Sequence, residues 1–315
     1  MNPLSALYGA VVRRRNQLYD RGSLSIRSLR GPVVSIGNLT VGGSGKTPFL
    51  IAVGELLKER GVRFDVLSRG YGRATKGVAL VDPEGSPWDF GDEPLLIARK
   101  LQIPVVVGED RYAAGQFAEQ KFGAQLHLLD DGFQHRSLAR DFDIVLITPT
   151  DAKDTLLPVG KLREPLSSLL RADAVVLTND TSSAGLPLAN QRVWRVQRGV
   201  VAPATKDPCF AFCGIARSQA FFEQVRAAGV RLVGTRSFRD HHYYSDPDVK
   251  QLLEFRKACS ATAFITTEKD AINLGSHLGA LEPLHLVPVT MRLEDSAAAV
   301  DALLTTIRER NSQPA

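Results

Sequence analysis

Short apolar runs alternate with helix-like patterns between residues 33 and 178. A short apolar run bounded by turn residues is typical of a buried strand, and apolar residues spaced three and four apart are typical of a helix. The predicted strands are 33–38, 64–68, 103–107, 126–130, 143–148 and 174–178. The predicted helices are 46–60, 92–101, 110–122 and 165–171. Such alternation predicts an α/β fold whose parallel sheet is covered on both faces.

A second, smaller set of apolar runs follows a polar interruption. Residues 180–192 are rich in small and polar side chains, which predicts a linker. Residues 193–201 have an alternating pattern that suits a hairpin between two domains. A closing helix is predicted at 295–309, and further strands are predicted near 209–214, 231–235, 262–267 and 284–290. The carboxyl-terminal part therefore predicts a second α/β domain.

The first twenty residues have the pattern of a basic amphipathic helix. Asn2 is suited to the N-cap and Pro3 to the first helical position. Arg13 and Arg14 lie off the apolar stripe, whereas Arg15 falls on it. The helix could dock on its own domain or lie on an anionic membrane surface. The apolar stripe consists of Leu4, Leu7, Tyr8, Val11, Val12, Leu18 and Tyr19.

Composition narrows the class of protein. The 315 residues are 44% hydrophobic and 23% charged, which is ordinary for a soluble protein of two domains. The net charge of +5 suits an anionic partner such as a nucleotide, a nucleic acid or an anionic membrane. Cys209, Cys213 and Cys259 form no disulfide or zinc pattern, which predicts reduced thiols in a cytoplasmic protein. Neither a membrane-spanning segment nor a secretory signal is predicted.

A phosphate-binding loop is predicted in the stretch VVSIGNLTVGGSGKTPFL, residues 33–50. A strand leads into glycines and then into a helix that starts with Lys46 and Thr47. Such a loop cradles phosphates with backbone N–H groups, while the lysine reaches the β- and γ-phosphates and the threonine hydroxyl ligates Mg²⁺. The generic pattern has glycine where this chain has Thr40. The predicted nucleotide-binding residues are Thr40, Val41, Gly42, Gly43, Ser44, Gly45, Lys46 and Thr47.

Asp130 and Asp131 are the predicted acidic partners of that loop. They end the apolar run LHLLD and begin the motif DDGFQH. Neighbouring residues of a strand face opposite sides, so only one carboxylate faces the metal unless the strand has already ended. One or both therefore serve Mg²⁺, and the alternative is a turn built with Gly132.

Seven motifs, taken together, resemble the tetraacyldisaccharide 4′-kinase family, also called lipid A 4′-kinases. The match runs in order from the N-terminal helix to about residue 271. In the family's reaction, ATP phosphorylates the 4′-hydroxyl of an acylated glucosamine disaccharide 1-phosphate to give lipid IVA. The motifs are GNLTVGGSGKTP, SRGYGR (68–73), GDEP (91–94), DDGFQH (130–135), LREP (162–165), RDHHYY (239–244) and TEKDA (267–271).

The resemblance also implies an architecture and a location. It implies a P-loop core and a smaller α/β domain, joined by a two-stranded linker, with catalysis in the cleft between them. The implied place of action is the cytoplasmic face of the bacterial inner membrane, to which the protein binds peripherally. The expected units are a membrane-associating helix at 1–20, the core at 21–185, a linker hairpin at 186–203 and the smaller domain at 204–315.

Catalytic roles follow from the same resemblance. Asp92 is where it places the general base for the sugar hydroxyl; the residues alone favour a helix cap instead. One of His241 and His242 is implied to pair with Asp92, with His241 preferred, and the alternative is an exposed pair in a polar loop. Lys269 and Asp270 are expected to be functional, with no role assigned.

Further charged residues have both a functional and a structural interpretation. Arg163 could stabilise the transferring phosphoryl group and Glu164 could add a metal-shell carboxylate, or the two could form a surface ion pair. Arg69 and Arg73 could bind phosphate or anionic substrate, or could lie in a solvated turn. His242 joins these two arginines as a candidate substrate contact.

Two other functions compete with the lipid kinase. A P-loop kinase of a soluble metabolite would explain the loop and Asp131, but not the basic amphipathic N-terminus. A nucleotide-switch ATPase that binds a protein or nucleic acid is compatible with the net charge. The basic residues are spread along the chain and no nucleic-acid module is recognisable, so no nucleic-acid partner is predicted.

Overall fold

A computed structural model describes residues 2–178 and 180–312. Its strands are β1 Val33–Asn38, β2 Phe64–Ser68, β3 Ala79–Leu80, β4 Val105–Val107, β5 Leu126–Asp130, β6 Phe142–Ile147, β7 Ala174–Thr178, β8 Arg192–Val200, β9 Cys209–Cys213, β10 Leu232–Ser237, β11 Ala263–Thr267, β12 Leu284–Val287 and β13 Val289–Leu293. Its α-helices are α1 Pro3–Asp20, α2 Lys46–Glu59, α3 Pro87–Phe90, α4 Asp92–Leu101, α5 Arg111–Phe122, α6 Ser218–Ala227, α7 Asp246–Ala258, α8 Glu268–Leu274 and α9 Ser296–Ser312. Short 3₁₀ helices occur at Asp151–Lys153, Leu166–Arg171 and Gly275–Leu281.

The large sheet places the strand of the glycine loop at its centre. Its order is β13-β8-β7-β6-β1-β5-β2-β4-β3, and the pairings from β8 to β4 are parallel. Ile36 of β1 pairs with Asp130 of β5 and with Ile144 of β6. The glycine loop therefore leaves the same sheet edge as the acidic pair, where parallel α/β sheets bind ligands.

A second sheet has the order β10-β9-β11-β12 and is also parallel. Its core includes an aromatic cluster in which Phe212 and Phe264 are fully buried and meet edge to face, with ring centroids 5.7 Å apart. Each sheet has its own hydrophobic cluster, as the two sets of apolar runs on either side of residues 180–192 predicted.

The linker forms differently from the prediction. Residues 186–203 are all described and contain one strand, β8, rather than a hairpin. That strand pairs in parallel with β7 and antiparallel with β13, where Val196 lies opposite Leu293. The chain thus passes to the second sheet through β8 and returns through β13. The prediction of a local hairpin was wrong because the partner strand comes from a distant segment, which local alternation does not identify.

The carboxyl-terminal boundary also differs. The strand predicted at 284–290 divides at Pro288, whose missing N–H interrupts a ladder, and β12 and β13 then belong to different sheets. Helix α9 packs on the core of the large sheet through Val300, Leu303 and Ile307. The end of the predicted unit 204–315 therefore belongs to the core, because the chain crosses back before it ends.

Helix α1 docks through its small and polar face. Ser5 Oγ donates to the carbonyl of Leu156 at 2.9 Å, and the buried Asn16 lies on the same face. The apolar residues Leu4, Leu7 and Val11 are 61, 65 and 61% exposed. Much of the predicted apolar stripe is thus left uncovered by this chain. Within residues 2–178 and 180–312, no helix is long and apolar enough to cross a membrane.

Candidate active site

A cavity of about 1130 Å³ lies where the carboxyl ends of strands from both sheets meet. The large sheet contributes the glycine loop after β1 and the acidic pair at the end of β5. The second sheet contributes the segments that follow β9, β10 and β11. Both units therefore build the walls, and every residue of the predicted loop from Thr40 to Thr47 lines the cavity.

The glycine loop has the backbone that phosphate cradles need. Gly42 and Gly45 have φ values of +112° and +89°, in a region that side chains rarely adopt. Helix α2 begins at Lys46, and no side chain of the described residues caps it at Gly45. Its first N–H groups and its partial positive charge therefore face the cavity. Lys46 Nζ lies 3.2 Å from Asn38 Oδ1.

Asp130 is buried at the end of β5, and only one of its two carboxylate oxygens forms a hydrogen bond with the described residues. Its Oδ2 accepts from Ser68 Oγ at 2.9 Å, and its Oδ1 finds no hydrogen-bond partner among the described residues. Burial, together with the nearby charges of Glu93 and Asp131, raises the pKa of Asp130 to about 7. A buried carboxylate in this situation favours a proton or a cation.

Asp131 has the opposite electrostatic surroundings. The strand ends before it, and its φ of +48° turns its side chain toward the cavity as well. Its oxygens accept two bonds from Arg163, at 2.8 and 2.9 Å, and Lys46 Nζ lies 3.5 Å away. Burial opposes charge on this group, but Lys46 and Arg163 outweigh it and hold the pKa of Asp131 well below its usual range. Asp131 thus contacts two cations of the site, Lys46 and Arg163.

Asp92 is a buried carboxylate held by the second sheet's residues. The cap of α4 is Gly91, and Asp92 is the first helical residue, so the capping alternative does not describe this position. Its carboxylate accepts from Asn273 Nδ2 at 3.1 Å and lies 2.9 Å from His241 Nδ1. Burial works against its charge, but the bond from His241 and the charge of Lys269 prevail and lower the pKa of Asp92 to about 2. Asp92 is therefore ionised at neutral pH.

His241 reaches Asp92 from an unusual backbone conformation. Its φ is +57°, and its N–H donates to the carbonyl of Gly214 at 3.1 Å. Burial disfavours its charged form, but the hydrogen bond to Asp92 outweighs this and raises the pKa of His241. The ring lies 5.4 Å from that of Tyr71, which also lines the cavity.

Comparison with known proteins identifies the family. The family model described as tetraacyldisaccharide-1-phosphate 4′-kinase matches residues 1–308. This chain belongs to the tetraacyldisaccharide 4′-kinase family. It is similar to the tetraacyldisaccharide 4′-kinase of Koribacter versatilis, with 50% identity over 98% of this chain and 99% of the relative. The enzyme of the same name from Aquifex aeolicus is 38% identical over 86% of this chain and 88% of the relative.

A solved structure supports the same assignment. The "apo" form of LpxK from Aquifex aeolicus in complex with ATP matches with a TM-score of 0.81 and 35% identity, covering 97% of this chain and 98% of that one. The predicted family, the α/β fold and the kinase class are therefore confirmed.

Four predicted site residues of this family member lie outside the cavity walls: Asp92, which contacts the wall residue His241, and Glu164, Arg73 and His242. Glu164 is buried, and its Oε2 accepts from Arg171 at 2.8 Å and from Asn16 at 3.1 Å. This ion pair is internal, beneath α1. We therefore leave Glu164 out of the metal site, because its contacts point away from the glycine loop toward the N-terminal helix.

Arg73 and His242 have structural partners instead of cavity contacts. Arg73 donates to Gly77 O at 2.6 Å and to Glu109 at 2.9 Å, which closes the turn after SRGYGR. His242 lies 3.2 Å from Asp248 and stacks on Phe238 with centroids 4.7 Å apart. Neither lines the cavity, whereas the exposed Arg69 does. Spacing along the chain did not distinguish Arg69 from Arg73 or His241 from His242.

Sequence reasoning missed Asn273 and gave Lys269 no role. Both residues lie on α8 and contact Asp92, with Lys269 Nζ 3.6 Å and Asn273 Nδ2 3.1 Å from the same oxygen. Their spacing of four residues puts them on one face of a helix, and the sequence could have indicated this shared face. Asn38, which contacts Lys46 and Arg163, had no distinctive pattern.

Proposed function

We propose that this chain transfers the γ-phosphoryl group of ATP to the 4′-hydroxyl of a tetraacylated glucosamine disaccharide 1-phosphate. The observation that carries the proposal is that the phosphate loop and His241, which contacts the buried carboxylate of Asp92, line one cavity. The names of the relatives and the ATP complex of the Aquifex aeolicus protein support it. The site of action proposed is the cytoplasmic face of the bacterial inner membrane.

ATP is held by the glycine loop in this proposal. The backbone from Gly42 to Thr47 surrounds the phosphates, and Lys46 neutralises their charge. Arg163 reaches the transferring group, since Asp131 holds its guanidinium with two bonds in a fixed orientation. Phosphoryl transfer depends mainly on positioning and charge stabilisation, which these residues provide.

The residues present fit Mg²⁺. Among residues 2–178 and 180–312, no group of three or more histidine, cysteine, aspartate or glutamate side chains is arranged to hold a metal. Mg²⁺ needs fewer protein ligands than that, because it binds one or two carboxylates together with substrate phosphates and waters. The unpartnered Oδ1 of Asp130 and the hydroxyl of Thr47 supply the oxygen ligands. When bound there, Mg²⁺ would offset the negative charge of the phosphates.

Asp92 is the proposed general base, and His241 orients it. The carboxylate is ionised at neutral pH and can accept the proton of the sugar hydroxyl as the oxygen attacks phosphorus. His241 and Asn273 fix its direction with hydrogen bonds from the second sheet. Positioned proton acceptors of this kind contribute about 10²–10⁴-fold in rate. Arg69, exposed at the cavity wall, is proposed to contact a phosphate of the substrate.

Helix α1 is the proposed membrane contact. Its exposed Leu4, Leu7 and Val11 can enter the lipid interface, while the exposed Arg14 on the same side can reach anionic headgroups. This face favours a lipid-anchored acceptor over a soluble metabolite. We propose 1–20 as the membrane helix, the large sheet with α9 as the core, and the second sheet as the smaller domain, linked by β8 and β13.

A transfer assay tests the proposal. Labelled γ-phosphate of ATP is followed into tetraacyldisaccharide 1-phosphate in detergent micelles, for the wild type, Lys46→Ala and the exposed-lysine control Lys76→Ala. The wild type and the control are expected to label the lipid, and Lys46→Ala to lose nearly all transfer. ATP hydrolysis without labelled lipid would contradict the acceptor, and equal activity on a deacylated disaccharide would favour a soluble substrate.

A second assay tests the metal assignment. Asp130→Asn is expected to raise the Mg²⁺ concentration needed for half-maximal ATP binding by about tenfold or more. Ser68→Ala, which removes only the hydrogen bond to Asp130, should have a smaller effect. An unchanged Mg²⁺ requirement in Asp130→Asn would remove that residue from the metal site.

A further inference from the structure

Lys269 is a buried lysine beside the proposed base. Its side chain is 13% exposed, and its Nζ lies 3.3 Å from His241 Nε2. Three carboxylates surround the same ammonium, at 3.4 Å for Glu93, 3.5 Å for Asp240 and 3.6 Å for Asp92. Burial disfavours the charge, but the three carboxylates outweigh it and raise the pKa of Lys269. Lys269 is therefore a permanent cation at this position.

The two ring nitrogens of His241 face groups with opposite hydrogen-bonding roles. Nδ1 lies 2.9 and 3.0 Å from the two oxygens of the ionised Asp92, which can only accept. Nε2 faces the ammonium of Lys269, which can only donate. Asp240 Oδ2, at 3.9 Å from Nε2, is too far away to accept a proton from it. The contacts are satisfied together when the proton is on Nδ1 and Nε2 has a free lone pair.

We propose that Lys269 is a positioning residue that directs the proton of His241 to Nδ1 and opposes a second proton on Nε2. This inference rests on the proposed role of Asp92 as the base. With a neutral ring, His241 orients the carboxylate by one hydrogen bond. A doubly protonated ring would form an ion pair with the carboxylate and weaken its ability to take a proton.

The charges around His241 show why such a residue is needed. Asp92 and Glu93 of α4 and Asp240 of its own loop all favour a charged imidazole, and Tyr71 adds an aromatic ring without charge. Lys269 of α8 is the cation that opposes them, together with burial. Because it pairs with all three carboxylates, its charge is shared and does not fall on Asp92 alone. Removing it leaves the acidic groups unopposed.

Nuclear magnetic resonance of ¹⁵N-labelled histidine measures both parts of the proposal on the full chain. His241→Gln identifies the ring signals, and the ¹⁵N shifts distinguish protonated from unprotonated nitrogens. In the wild type, we expect the neutral ring to have its proton on Nδ1. In Lys269→Met, we expect the pKa of His241 to rise by about one unit or more. The acid limb of the kcat–pH profile should move upward by the same amount, with ATP affinity unchanged.

Matched variants separate this role from a structural one. Lys100→Met removes another ion pair between α4 and α8, in which Nζ lies 2.5 Å from Glu268, and leaves the contacts of His241 in place. It should shift neither the His241 titration nor the pH profile. Lys269→Arg keeps the cation and should restore most of the wild-type profile.

Specific results would overturn the proposal. A wild-type proton on Nε2 would contradict it without any variant, so the test does not depend on the folding of Lys269→Met. A folded Lys269→Met with an unchanged His241 pKa would contradict it as well. Failure of the base assignment is distinguishable: there, Asp92→Asn would keep its kcat whatever the titration of His241 shows.

Discussion

The Nδ1 atom of His241 lies 2.9 and 3.0 Å from the carboxylate oxygens of Asp92, although 149 positions separate the two residues. Asp92 starts α4 beside the large sheet, and His241 follows β10 of the second sheet. The pair therefore exists only while the two sheets are in contact. Substitution of either residue of this pair should affect the chemical step more than ATP binding, because ATP binding depends on the glycine loop of the large sheet.

Replacing the proposed base gives the first prediction. Asp92→Asn should lower kcat by about 10²–10⁴-fold, because the amide cannot accept the hydroxyl proton. The dissociation constant for ATP, measured by calorimetry, should stay unchanged. The exposed Asp82→Asn is a control for the loss of one negative charge on the same domain. A kcat within about threefold of the wild type would show that Asp92 is structural.

A double-mutant cycle tests the second prediction, that Asp131 acts by holding Arg163. Asp131→Asn and Arg163→Met should each lower kcat by about 10²-fold, and the double variant should lose little more. The reason is that both changes abolish the same effect: Arg163→Met deletes the cation, and Asp131→Asn removes the carboxylate that holds it in position. The exposed bidentate pair Arg27–Asp110, at 2.8 and 2.9 Å, provides the control cycle. Its variants should have small and additive effects. Additive losses at Asp131 and Arg163 would mean independent roles.

The exposed face of α1 gives the third prediction. The triple variant Leu4→Ser, Leu7→Ser, Val11→Ser should float with anionic vesicles about tenfold or more weakly than the wild type. Each aliphatic side chain that is fully buried in the lipid contributes about 1.5–3 kcal/mol to membrane binding. Folding should change little, because these side chains contact water in the free protein.

Control substitutions on another surface complete that experiment. The double variant Val193→Ser, Val201→Ser removes two apolar side chains outside α1, which are 42% and 58% exposed. This variant should float like the wild type. Equal flotation of both variants would assign α1 a structural role only.

A buried pair outside the active site gives the fourth prediction. His127 Nδ1 lies 2.7 Å from Asp65 Oδ1, and both side chains are fully buried between β2 and β5. Burial opposes charge on the ring, but Asp65 outweighs it and raises the pKa of His127 above 6.5. Burial likewise raises the pKa of Asp65. Both shifts mean that the folded state binds protons more tightly than the unfolded chain.

The stabilisation should therefore be complete below pH 6.5 and should be lost as the pH rises through the folded-state pKa of His127. Thermal unfolding from pH 6 to pH 9 should show this loss in the wild type and a flatter profile in His127→Gln. The partly exposed His285→Gln should keep the wild-type slope. Parallel profiles for the wild type and His127→Gln would exclude the pair as the cause.

Several features were predictable because they depend on neighbouring residues. The glycines and Lys46 are contiguous, so the backbone of the phosphate loop follows from local sequence. The strands with continuous apolar runs, such as β1 and β5, begin and end close to where the runs do. The predicted α-helix at 165–171 instead forms a 3₁₀ helix at Leu166–Arg171, in a tighter form that the spacing of apolar residues does not distinguish.

Residue types alone did not decide between near neighbours. Both His241 and His242 suit a dyad, and both Asp130 and Asp131 suit a metal. The positive φ of His241 and its bond to Gly214 turn that ring toward Asp92, while His242 stacks on Phe238.

The sequence by itself determined the alternation of strands and helices, the phosphate loop and the family, because these are properties of short segments and ordered motifs. Only the tertiary structure decided that β8 pairs with β13, that Glu164 lies beneath α1, and that α8 brings Lys269 to Asp92. The physical reason is that such contacts join residues far apart in the chain. They are set by how two sheets and their helices pack together, and a local pattern of apolar and polar residues does not contain that information.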